Sequence, residues 1–200
     1  MHVELVPVIE VNIQEEEVAQ ALRKISPIAP GTYFYRISDL DSAILIVLAK
    51  SHLKGYFNGM WTLEEVYPFF GGYVLRINDQ NTLFPQCCGE LSDIIYWKHL
   101  AIYARSAYYH GHPEPSIRFT NTEVIFTCQD ESEEFQPTTP VEIRVAKPAL
   151  ADAYTRVLVE LVSFARKLDL VQQALQLPVE SISGLLIYHN AELPGESPSS

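Results

Sequence analysis

The stretch VEIRVAKPALADAYTRVLVELVSFARKLDLVQQAL, residues 141–175, carries two hydrophobic periods in succession, and that change decides the fold. Val141, Ile143 and Val145 alternate with polar neighbours, as on a strand with one buried face. From Pro148 onward Tyr154, Val157, Leu161, Phe164, Leu168, Val171 and Leu175 recur at alternating spacings of three and four. That spacing predicts an amphipathic helix, or two helices broken near Asp169. Its expected use is to lie across a sheet; a homodimer seamed through residues 154–175 is the alternative.

Outward from this stretch, short strands come in pairs. Ile117 to Phe119 and Val124 to Cys128 flank Thr120-Asn121-Thr122. Gly71-Gly72 opens a strand through Ile77, and Asn78-Asp79-Gln80-Asn81 turns it into Thr82 to Phe84. Val3, Leu5, Ile9, Val11 and Ile13 alternate as well, with Pro7 among them, which predicts an edge strand or a bulge. Thr32 to Ile37 reads as an aromatic strand, and Leu185 to Tyr188 as a returning one.

Helices are expected after Asn12, with Glu15, Glu16 and Glu17 in the first turn and Val18, Ala21, Leu22 and Ile25 apolar, up to Pro27. A second runs from Asp39 or Asp41 to Leu53, where AILIVLA also suits a buried strand. A third starts at Ser92 or Asp93. Thr62 and Glu65 form a capping-box pair, Gly55 to Gly59 is loop, and Ala107 to His110 is extended. Asp130 to Pro140 has four acids, two prolines and no periodicity, so it reads as a solvated loop. Together these predict a single α+β domain over 1–190, with a mainly antiparallel sheet, packed helices and a flexible tail over 191–200.

Composition bounds the function. The 25 acidic residues outnumber 14 basic ones, and the surplus is even: 12 against 7 in residues 1–100, 13 against 7 in 101–200. A net charge of -11 repels phosphate backbones, so nucleic acid is not an expected partner; a basic protein or a metal ion is. The longest apolar run, Ala43 to Ala49, is far short of a membrane span. MHVELVPVIEV has acids where a signal peptide needs positive charge. Three cysteines, two of them adjacent, make no disulfide framework, so reduced thiols in the cytoplasm are expected.

The residues able to do chemistry concentrate between Phe84 and Pro113. Cys87, Cys88, His99, His110 and His112 offer thiolate and imidazole donors suited to zinc. Structural zinc sites usually space their ligands as Cys-x₂₋₄-Cys or His-x₃₋₅-His, whereas adjacent cysteines point apart on an extended chain. The alternative use of the cysteines is as small hydrophobes under a helix. Cys88 is also a candidate thiol nucleophile, with His99 or His110 as base and Asp93 orienting the imidazole; Glu90 and Asp93 oppose a lowered thiol pKa. Asp39-Leu40-Asp41 has the two-carboxylate spacing that holds a nucleotide-sugar metal in some transferases, at a place where a helix needs a cap. No G-x-S-x-G, P-loop, H-E-x-x-H, C-x-x-C or G-x-G-x-x-G occurs, which removes the usual warrant for the enzymes that use them.

Pro85-Gln86-Cys87-Cys88-Gly89-Glu90-Leu91-Ser92-Asp93, with Trp97 and later Gly111-His112-Pro113, resembles a group of uncharacterised bacterial proteins with a PxCCxxLSD…W segment and a downstream GHP. The resemblance spans residues 71–128. By analogy it implies a small acidic domain like the immunity proteins of toxin systems, binding a partner protein without catalysis. A metal-binding protein or metal-dependent enzyme built on the Cys/His cluster is the other expectation.

Overall fold

A computed structural model describes residues 1–189. The expected tail over 191–200 lies outside the described residues. The molecule is a single α+β domain built from two antiparallel sheets and a long helix. The first sheet takes the order β2-β1-β3-β4, from β1 (Val3–Glu10), β2 (Phe34–Arg36), β3 (Gly71–Ile77) and β4 (Gln80–Leu83). The second is β5 (Ser116–Phe119), β6 (Glu123–Thr127) and β7 (Glu142–Ala146), in that order. Helices are α1 (Glu16–Leu22), α2 (Ser42–His52), α3 (Lys54–Phe57), α4 (Ile94–Ile102), α5 (Lys147–Leu175) and α6 (Ile182–Leu186).

The 29 residues of α5 run unbroken past Asp169, about 43 Å at the helical rise. Strand β7 feeds straight into it, with Pro148 in the first turn, where its missing N–H costs no bond. The stripe Leu150, Ala153, Tyr154, Val157, Leu161, Phe164, Leu168 and Val171 is buried in the protomer's own core. It shares one buried core with Val3, Leu5 and Ile9 of β1 and with Val124, Phe126, Ile143 and Val145 of the second sheet. Burying one such large side chain stabilises the fold by about 1.5–3 kcal/mol. The periodic residues of 154–175 therefore face the sheets, as the first of the two expected uses required.

The other face of β1 carries a smaller cluster: Val6, Val8, Phe34, Val74 and Phe84, packed by Ile28 and Ala29. Strand β1 is thus central and buried on both faces, not an edge as Pro7 suggested. The reason is local. Val11 N–H donates to Tyr33 of the β2 side and Glu10 N–H to Phe70 of the β3 side, so odd-numbered residues of β1 aim their nitrogens at β2. The β2 ladder starts only at the Val8–Arg36 pair. Pro7 sits one step beyond it, where no partner awaits its missing N–H.

The β3–β4 hairpin turns through Asn78 and Asp79, with φ of 47° and 66°, the two-residue turn that asparagine and aspartate tolerate. Asp41 caps α2 by accepting from Ile44 N at 2.9 Å, so residues 42–52 are helix. Helix α1 begins later and ends earlier than expected: Asn12 bonds only Gln14 N, Glu15 precedes the first turn, and the helix stops at Leu22. Residues 54–57 form a short helical turn rather than loop, while Ala107 to His110 joins no strand. Leu185 to Tyr188 is not a returning strand. Ser181 caps α6 through Gly184 N, and Gln172 of α5 holds the segment by bonding Val179 O and Ile182 N.

Candidate metal centre

The segment 86–93 hangs on the start of β3. Gly71 N–H donates to Gly89 O at 2.8 Å and Leu91 N–H to Phe69 O at 3.0 Å, while the buried Tyr73 hydroxyl donates to Leu91 O at 2.6 Å. Within it, Gly89 N–H closes a turn onto Gln86 O at 3.0 Å. A Cβ on Gly89 would lie 2.8 Å from Gly71 O, so the close approach of the two chains requires glycine there. Cys88 occupies the third turn position with φ 68°, a left-handed conformation that glycine or asparagine adopts at less cost. A cysteine held there points to use of its side chain.

The turn brings the two thiols to one side, with Sγ atoms 3.5 Å apart. His112 N–H donates to Cys87 O at 3.0 Å, docking the 110–112 segment alongside. His112 Nε2 then lies 3.7 Å from Cys88 Sγ. Donor atoms of Cys87, Cys88 and His112 all fall within 4.8 Å of one another, and the three residues are exposed. The extended chain that would point adjacent cysteines apart is absent, because the turn folds between them.

Glu133 completes the arrangement. Its Oε2 accepts from His112 Nδ1–H at 2.9 Å, which fixes the tautomer and leaves Nε2 with its lone pair toward the cysteines. The same carboxylate holds the His112 pKa above its ordinary value, with Cys88 adding to the effect. The bond to Cys88, then partial burial, raises the Cys87 thiol.

Glu133 lies in the 130–140 segment, which is pinned rather than loosely solvated. The buried Gln86 amide donates to Phe84 O and Gln136 O, and its oxygen accepts from Gln136 N at 3.0 Å. Phe135 is buried beside it, and Asp130 accepts from Ser132 N and Glu133 N. Gln86, Glu133 and Gln136 had no sequence signal beyond polarity.

The remaining candidates separate. His110 bonds Asp93 Oδ1 through Nδ1 at 2.5 Å and lies 3.7 Å from Glu90 Oε1, and the bond to Asp93 raises its pKa. Asp93 does orient an imidazole, as the nucleophile reading supposed, but the ring beside Cys88 is that of His112. Asp93 also accepts from Glu90 N, and Glu90 from Ser92 Oγ, so these buried carboxylates brace the turn before α4. Helix α4 starts at Ile94, after a 3₁₀ turn over Leu91–Asp93, and Cys88 is not at its first turn. His99 accepts from Arg105 Nε at 3.0 Å and takes no part in the cluster. Cys128 is buried, which pushes its thiol up to about 11. Asp41 is used as a cap and Asp39 bonds Ser38, so that pair is not a metal site in this geometry.

Zinc bonds sulfur at about 2.3 Å and imidazole nitrogen at about 2.0–2.1 Å, so a tetrahedral ion would space two sulfurs about 3.8 Å apart and sulfur from nitrogen about 3.6 Å. The separations found, 3.5 and 3.7 Å, lie close to two edges of such a tetrahedron, and all three donors fall within 4.8 Å of one another. Among the described residues, no fourth histidine, cysteine or carboxylate joins the three. A cleft of about 390 Å³ begins at Cys87 and runs past Gln86, Gln136, Tyr33 and Glu10. Another, about 690 Å³ between α1 and α2, is lined by charges of both signs and holds no cysteine or histidine.

No family model, no curated protein and no solved structure matches the chain. Among the described residues, no helix is long and apolar enough to cross a membrane.

Proposed function

We propose that the protein binds a transition-metal ion, zinc first, through Cys87, Cys88 and His112, with one coordination position left for water or a substrate atom. The observation that carries this is the mutual spacing of the three donors, with Glu133 orienting the imidazole. Two thiolates and one neutral imidazole suit zinc, and three protein ligands with an open position are the pattern of zinc sites that do chemistry rather than hold a fold together. A reducing cytoplasm would keep both thiols available. The untagged protein, purified without chelator, is expected to carry close to one equivalent of zinc by plasma mass spectrometry. Cys88→Ser and His112→Ala should carry almost none while melting as the metal-free wild type does. Failure of the wild type to take up added zinc, or unchanged metal in both variants, would sink the assignment.

The partner-binding, immunity-like reading is the second proposal. The net charge of -11 supports it, as do Val159, Val162 and Leu170, which stand 71%, 51% and 52% exposed on α5. A basic protein suits this surface better than a second copy of so acidic a chain. A Val159→Lys/Leu170→Lys double variant should lose a basic partner recovered with the wild type and keep its metal; equal recovery by both rules the surface out.

A further inference from the structure

Glu10 ends β1 with no cation within ion-pair distance among the described residues. It pairs with Phe34 of β2, and on the other side its N–H bonds Phe70 O, which ties the end of β1 to the wall of a cleft. Although Glu10 lies at the exposed end of its strand, the walls around it partly desolvate the carboxyl and hold its pKa above the usual value.

Beside it opens a cleft of about 300 Å³ lined by Trp61, Tyr67, Phe69, Phe70 and His52, with Glu10 and Glu15 on the rim. Trp61, Tyr67 and Phe70 are 51%, 60% and 43% exposed, an unusual concentration of aromatic surface. These rings are held in place. Trp61 folds over Gly55 so closely that a Cβ there would overlap its ring, at 2.3 Å. His52 donates from Nε2 to Tyr67 O at 2.8 Å and packs on Phe69, with ring centroids 4.9 Å apart.

The cleft has little positive charge of its own. Burial lowers the His52 pKa, and Lys54 is engaged by Glu15 at 3.3 Å, which also accepts from Ser51. Aromatic faces present negative potential, and a carboxylate next to them supplies a full counter-charge. The size is that of a pocket for a small ligand.

We propose that this cleft binds a small organic cation, an alkylated ammonium whose charge sits against Trp61, Tyr67 and Phe70 with Glu10 as counter-charge. Trp61, Tyr67 and Phe70 lie outside the metal centre, whereas Glu10 also lines the cleft that begins at Cys87, so its variant is compared with the wild type on metal-free protein.

Choline and its neutral isostere 3,3-dimethylbutan-1-ol separate charge from shape. Trp61 is one of two tryptophans and Trp97 is 3% exposed, so a ligand-induced change in fluorescence reports Trp61. Choline should give a saturable change, and the alcohol should bind at least about tenfold more weakly, as expected where cation–π attraction and a counter-charge supply the affinity. Glu10→Gln should weaken choline about tenfold and leave the alcohol unchanged. Trp61→Ala should lose the choline heat in calorimetry while its zinc content stays that of the wild type. Equal binding of the two probes, no saturable binding, or choline affinity unaffected by Glu10→Gln overturns the proposal. So does binding of a trimethyl-lysine peptide without binding of choline, which would give the cleft to a protein side chain.

Discussion

Glu133→Gln is expected to weaken zinc binding about 10–100-fold, the usual cost of removing the carboxylate behind a ligating histidine. The glutamate touches no donor lone pair. It accepts from His112 Nδ1–H at 2.9 Å, and so holds the ring with Nε2 facing Cys88. A glutamine at 133 can still accept through its amide oxygen, so the ring stays near its place, but the negative charge that strengthens the imidazole as a donor is gone. Glu133 is 49% exposed, so its substitution should leave the melting temperature of the apo protein nearly unchanged. The measurement is competition for zinc against a chromogenic chelator, on wild type, Glu133→Gln and His112→Ala. The expected order is wild type tightest, Glu133→Gln intermediate and His112→Ala weakest. Equal affinities for wild type and Glu133→Gln would mean that the imidazole is positioned by its backbone bond to Cys87 alone.

Gly71→Ala is expected to destabilise the fold by more than about 4 kcal/mol, beyond the range of ordinary substitutions. Gly71 has φ +129°, and a Cβ built on it would lie 2.3 Å from Val8 O and 2.9 Å from Glu10 N. Both are backbone atoms of the central strand, so no side chain can move aside to make room. Gly72 gives the internal comparison. Its φ is +122°, yet the nearest atoms to its Cβ position are 3.5 Å away, so Gly72→Ala should cost only the conformational strain, about 1–3 kcal/mol. Urea denaturation followed by far-ultraviolet dichroism measures both. Near-equal losses would show that the contact with β1 is relieved elsewhere. Because Gly71 N–H also holds Gly89, the same substitution should loosen the cysteine turn and lower zinc affinity.

The local devices were legible because each is specified by neighbours in the chain. Asn78-Asp79 is suited to positive φ, Asp41 can reach the free N–H of Ile44, and the stripe from Tyr154 to Val171 repeats with the helical period. Short apolar runs are ambiguous by themselves: Leu185 to Tyr188 fits a strand or a turn of helix equally, and Ser181 with Gln172 selects the helix. Pro7 lacks a donor of its own, but whether the sheet needs that donor depends on where β2 ends.

The candidate site divides along the same line. The sequence by itself determined the donor types, the glycine that the turn needs and the long helix that covers the sheets. Only the tertiary structure decided that His112, and neither His99 nor His110, stands beside the thiols, since that follows from a backbone bond between residues 87 and 112. Glu133 reaches His112 across 21 residues because Gln86 clamps Gln136 across 50. Such bonds form only once buried surface has brought distant segments together. Their energy is not encoded in any local pattern of polar and apolar residues.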